Sequence, residues 1–127
     1  MTTKEIGDRG EALAAEYLEQ HGYIILERNY RFERAEVDLV AFRPYEDYTA
    51  GGELIFVEVK TRSGLGFGHP EEAVTEAKKL NLIKAAKAYL HERRLEGSPS
   101  RFDVISIVLQ GDAEPSIEHF ENAFWVF

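Results

Sequence analysis

Between Lys4 and His21 the apolar positions recur at helical spacing. Ile6, Gly10, Leu13, Ala14, Tyr17 and Leu18 share one face, and Gly22 follows where a C-cap belongs, so the segment is predicted to be an amphipathic helix. The period then changes. Tyr23 to Phe32, with Ile24, Ile25, Leu26 and Tyr30, predicts a strand. Glu36 to Phe42 alternates, placing Val37, Leu39 and Ala41 opposite Glu36, Asp38, Val40 and Phe42. After a polar loop from Pro44 to Gly52, Glu53 to Thr61 gives the clearest strand signal, with Ile55, Val57 and Val59 on one face and Phe56, Glu58 and Lys60 on the other.

A glycine-rich connection, Ser63 to His69, leads to Pro70 at a suitable first helical position. The helix predicted from there to about Arg94 has Ala73, Val74, Ala77, Leu80, Ile83, Ala88 and Leu90 as core candidates. A loop at Gly97 to Ser100 precedes a strand from Phe102 to Leu109, and Ser116 to Phe127 predicts a short terminal strand. The order is α-β-β-β-α-β-β, with no repeat, linker or low-complexity segment, which predicts one α/β domain over residues 1–127.

Composition narrows the function. The chain has 127 residues, 44% hydrophobic and 30% charged, as a globular domain with one core requires. It has no cysteine, which excludes a disulfide framework, thiolate zinc sites and a cysteine nucleophile. Met1 to Gly10 is polar and no apolar run approaches membrane-spanning length, so a cytoplasmic protein without membrane contact is expected. The net charge of −8 opposes binding to phosphate backbones, but it is unevenly spread: residues 60–94 carry eight basic and four acidic side chains. A locally basic stretch on an acidic body can dock a nucleic acid, and an ordinary charged helix face is the simpler alternative.

Glu58 and Lys60 lie two apart on a strand, so their side chains leave one face about 6–7 Å apart. Beside Phe56, in a strongly apolar strand, both charges need compensation if buried. Asp38, on the preceding strand, can face the same spot. Asp38 and Glu58, with the main-chain carbonyl of Val59, suit a hard, oxygen-seeking cation such as Mg²⁺ or Mn²⁺. Such a cation orients and acidifies a water and polarises a scissile phosphate, while Lys60 stabilises charge on the phosphoryl oxygens or positions the water. A cross-strand ion pair on a half-exposed face is the plain alternative for Glu58 and Lys60. Glu11 sits at the border of the first helix's apolar face, away from the outward Glu5, Glu16 and Glu19, from where a carboxylate can reach over a sheet edge.

Taken in order, Gly10-Glu11, Gly22-Tyr23, Asn29-Tyr30-Arg31, Glu36-Val37-Asp38-Leu39, Phe56-Val57-Glu58-Val59-Lys60-Thr61-Arg62, Phe67-Gly68 and Arg101-Phe102-Asp103-Val104 resemble the bacterial YraN family. That family is similar to the PD-(D/E)XK nucleases, especially the archaeal Holliday-junction resolvases. The resemblance implies a restriction-endonuclease-like domain with a central mixed sheet flanked by helices. It also implies that Asp38 and Glu58 are metal ligands, Lys60 the catalytic lysine and Glu11 the helix acid that completes the site. Ala35 stands where the family usually has glycine, and the loop from Pro44 to Gly52 is longer than usual.

Weaker signals surround this constellation. Arg62, following the catalytic strand, is a candidate phosphate contact, and Lys84 and Lys87 share a helix face that could form a DNA-binding ridge or only a solvated surface. Ser63 to His69 fits neither dinucleotide nor P-loop spacing and reads as a connection. His21, His69, His91 and His119 show no paired ligand spacing, which leaves them structural or surface roles. Phe120, Phe124, Trp125 and Phe127 are expected to pack rather than stack on bases. The sequence therefore leads to a metal-dependent nuclease acting on DNA, with a homodimer suggested by the two-fold symmetry of junction substrates. The alternatives are a non-catalytic nucleic-acid- or protein-binding module on the same fold, and an RNA-directed enzyme, for which no recognition motif speaks.

Overall fold

The computed structural model describes residues 2–45, 51–63 and 75–124. Five strands form one sheet in the order β1-β2-β3-β4-β5: β1 Ile24–Phe32, β2 Ala35–Pro44, β3 Gly52–Ser63, β4 Ser100–Leu109 and β5 Ser116–Phe124. The β3–β4 pair is parallel and the other three pairs are antiparallel, so the sheet is mixed. Helix α1, Thr3–Gln20, covers one face and α2, Glu76–Glu92, covers the other. This is the α-β-β-β-α-β-β order read from the sequence, in the layers of a restriction-endonuclease-like fold. No helix among the described residues is long and apolar enough to cross a membrane.

Local chemistry sets the ends of α1. Thr2 accepts the Glu5 N–H at 3.1 Å while its hydroxyl donates to the Glu5 carboxylate, a reciprocal cap. At the other end Gly22 takes φ +88°, which lets its own N–H reach the Glu19 carbonyl at 3.2 Å and the Tyr23 N–H reach that of Leu18 at 3.0 Å. The inner stripe, Ala14, Ala15 and Leu18, packs on Leu39, Ala41, Ile55, Val57, Ile105 and Ile107.

The expected start of the second helix at Pro70 is corrected. Thr75 is extended (φ −70°, ψ 165°) and its side chain accepts the Lys78 N–H at 3.2 Å, so the helix begins at Glu76. The inner face is Leu82, Ala85, Ala86 and Tyr89, against Val40, Leu54, Phe56, Phe102 and Val104. Ile83 and Leu90 pack partly against it, whereas Ala77 is exposed and Leu80 is 65% exposed. Those two core assignments fail because apolar residues surround this helix, so its periodicity does not fix a phase. Ala73, Val74, Pro70, His69, Trp125 and Phe127 lie outside the described residues. Phe124 is buried and Phe120 partly so, as packing residues should be.

A buried polar network ties β4 to its neighbours. Arg101 Nε donates to Asp103 Oδ1 at 3.0 Å and one terminal nitrogen donates to Asp103 Oδ2 at 3.1 Å; the guanidinium also reaches Glu53 at 2.9 Å and the Tyr23 hydroxyl at 2.7 Å. Asp103 Oδ2 lies 2.7 Å from His119 Nε2, and Oδ1 accepts the Asn122 N–H at 3.1 Å. Burial alone pushes the Asp103 carboxyl up, but hydrogen bonds from His119 and Arg101 hold it below the usual carboxylate range.

Candidate active site

β2 and β3 pair from Leu39–Val57 to Pro44–Gly52, at the hairpin end. Beyond Val57, β3 continues beside β4 as far as Ser63–Leu109, whereas β2 remains with β1 through Tyr30–Val37 and Phe32–Ala35. The two strands therefore part at Asp38 and Glu58. An opened edge exposes backbone groups that need new partners. Asp38 takes the first of them, its Oδ2 accepting the Val59 N–H at 2.8 Å. Because the N–H and C=O of one strand residue leave the same edge, the Val59 carbonyl is turned to the same gap.

Strand alternation also breaks here. Val37 packs in the α2-side core and Leu39 in the α1-side core, although residues two apart on a regular strand share a face. The expectation that Val37 shares a face with Leu39 and Ala41 is thus corrected by a turn of the strand at Asp38. That carboxyl lies between the two layers, within hydrogen-bonding reach of Glu58 on β3 and of Glu11 on α1.

Glu11 reaches the gap because Gly10 lets the helix sit directly on β3. A Cβ at position 10 would stand 1.8 Å from the Thr61 Oγ1, so only glycine permits this approach. On β1, Asn29 falls opposite Asp38, between the pairs Arg28–Leu39 and Tyr30–Val37, with φ +52°. Asparagine tolerates that left-handed conformation, and its side chain lies near enough to Glu11 to favour the ionised carboxylate.

Glu58 is buried and its Oε1 faces two ammonium groups, Lys78 Nζ at 2.7 Å and Lys60 Nζ at 3.5 Å. Lys60 comes from the same face of β3, as alternation requires, and Lys78 from the first turn of α2. Burial first, and the Glu58 charge second, push the Asp38 carboxyl up to about 8, against the Val59 N–H, which favours its ionised form. Burial likewise raises Glu11, against its bonds to Asp38 and Asn29. Burial, together with neighbouring Lys78, lowers Lys60, while Glu58 opposes this. Burial works against the charge on Lys78, but Glu58 outweighs it and raises that group.

Three carboxyl groups gathered in a partly buried gap are costly to ionise together, and a cation relieves that cost. Carboxylate and carbonyl oxygens are hard donors, and in kind they fit Mg²⁺ or Mn²⁺. Among the described residues no three acidic or histidine side chains already stand at metal-holding spacing. Instead, Asp38 is engaged by Val59 and Glu58 by Lys78.

The structure thus brings together Asp38, Glu58, Lys60 and Glu11, with Val59 on the gap edge. Arg62 is half-buried at the far end of β3, two residues beyond Lys60. Lys84 pairs with Glu33 in the β1–β2 turn, and Lys87 lines a groove of about 400 Å³ with Ile83, Leu90, Phe102 and Phe124, so neither joins the acids. His119 is structural, held by Asp103. Two participants escaped sequence reasoning. Lys78 read as a helix-surface lysine, and its contact with Glu58 is made only by the packing of α2. Asn29 was signalled faintly, as a poor strand former inside an apolar strand.

The sheet order, the flanking helices and an acid pair with a lysine at a strand split define a restriction-endonuclease-like architecture. The chain belongs to the uncharacterised protein family UPF0102, which matches residues 10–107 and is the YraN family that the sequence resembles. A UPF0102 protein of Trichlorobacter lovleyi is 47% identical over 119 residues, covering 94% of this chain and 89% of that protein. One from Geobacter metallireducens is 46% identical, covering 95% and 93%. One from Bifidobacterium longum is 44% identical, covering 98% and 96%.

Proposed function

We propose that this protein is a metal-dependent nuclease that hydrolyses phosphodiester bonds in DNA, with branched or repair intermediates as its substrate class. The supporting observation is the convergence of Glu11, Asp38 and Glu58 with Lys60 where β2 leaves β3. Asp38, Glu58 and the Val59 carbonyl are the groups to hold Mg²⁺ or Mn²⁺, with Glu11 in support. When bound, the cation supplies Lewis acidity to a water and to the scissile phosphate. Lys60 meets the charge that builds on the phosphoryl oxygens; its partial burial strengthens that interaction relative to one in open water. Arg62, farther along β3, contacts the neighbouring phosphate, and Lys84 and Lys87 extend the contact along α2. A homodimer matches a two-fold symmetric junction, and the work belongs in the cytoplasm.

The test is cleavage of branched, single-stranded and duplex DNA with Mg²⁺ or Mn²⁺, comparing the parent protein with Lys60→Ala and Asp38→Asn. Metal-dependent cleavage lost in both variants supports the assignment; cleavage unchanged in both removes it. The net charge of −8 favours a second reading, a non-catalytic binding module on the same fold. Binding of DNA or protein without turnover on any substrate selects that reading.

A further inference from the structure

Glu58 is buried, yet one of its oxygens already carries a close positive partner: Lys78 Nζ is 2.7 Å from Oε1, nearer than Lys60 at 3.5 Å. The tighter ion pair is therefore made by a helix residue rather than by the strand lysine assigned to the reaction. The two amines differ in their freedom to leave. The Lys78 side chain is 41% exposed and that of Lys60 17%, so Lys78 can turn into water while Lys60 stays enclosed. Its backbone is fixed by the bond from its N–H to Thr75 Oγ1, so withdrawal needs only side-chain rotation and no movement of α2.

A carboxylate oxygen held by a charge-assisted hydrogen bond receives a divalent ion less readily, because the ammonium and the ion repel each other across the same carboxylate. We propose that Lys78 is an internal counter-ion of Glu58 that a divalent cation must displace before the acids can hold it. This rests on the metal-site reading above and extends it: the ion pair satisfies a buried acid while no metal is bound, and it explains why the acids do not stand at ligand spacing. By linkage, cation binding weakens the Lys78–Glu58 contact by the factor that the contact weakens cation binding.

Calorimetric titration of Mn²⁺ into the full chain, without nucleic acid and at fixed pH and ionic strength, tests this. Lys78→Met should bind Mn²⁺ about tenfold more tightly than the parent protein, the loss of one charge-assisted competitor. Lys78→Arg, which keeps the charge, should bind no more tightly than the parent. Lys78→Gln gives the same comparison if the Met variant folds poorly. Equal or weaker binding by the neutral variants, with Mn²⁺ still bound by the parent, overturns the counter-ion role and leaves the metal site standing. No binding by any of the proteins removes both.

Discussion

Around Asp103 each acidic oxygen meets a donor: Arg101 bridges both, His119 faces one and the Asn122 N–H reaches the other. Around Asp38 stand two other acids, Glu11 and Glu58, and among the described residues its backbone donor is the Val59 N–H. Asp103 is buried and Asp38 largely so, and burial pushes both carboxyls the same way; the partners decide the outcome. Asp103 is held ionised and fastens β4 to β5, while its partner Arg101 reaches Glu53 on β3. Asp38 is held protonated at neutral pH, at a place where two strands have let go of each other. A buried charge with its partners already in place has little use for a ligand, whereas one that lacks them favours whatever cation arrives.

The largest expected effect separates the two regions. Arg101→Met leaves Asp103 buried without its main partner and should cost about 4 kcal/mol in a denaturant titration. Lys60→Met beside the gathered acids should cost far less, and equal losses would erase the contrast. Next, Gly10→Ala forces a methyl into Thr61 and should cost about 3 kcal/mol by the same measurement. It should also weaken Mn²⁺ binding, because Glu11 is carried away with the helix.

Stability against pH comes third. The folded protein keeps the Asp38 proton up to about pH 8, whereas the unfolded chain releases it at about pH 4. Between those limits the folded state binds more protons, so this group's contribution falls as pH rises and is lost above the upper one. Asp103 acts oppositely: its contribution is present above about pH 4 and disappears as pH falls through its depressed value. In metal-free buffer Asp38→Asn should therefore match the parent near pH 4 and become progressively more stable than it as pH rises to 8. The smallest effect is a control far from both clusters: Thr2→Ala removes the α1 cap and should cost about 1 kcal/mol at either pH.

The sequence carried much of this unevenly. Glu58 and Lys60 were legible because a two-residue step on an apolar strand puts both charges on one face. Glu11 was legible only as a border position, since the close contact of Gly10 with Thr61 depends on tertiary packing. Asp38 could be placed on the right strand, but alternation assigned it a face, and the split between β2 and β3 gave it the gap instead. Lys78 fell within the predicted second helix as a surface lysine, since its pairing with Glu58 depends on how α2 packs against β3. The Arg101-Phe102-Asp103-Val104 string stood out as a motif, yet its role depends on Tyr23 and His119, which only the folded sheet brings to it.

The most direct test is a crystal soaked in Mn²⁺ and measured for anomalous scattering. The account predicts a peak bounded by Asp38, Glu58 and the Val59 carbonyl, with the Lys78 amine withdrawn from Glu58. A map without a peak there, in which Lys78 still holds Glu58 and Asp38 still holds the Val59 N–H at saturating manganese, would contradict it.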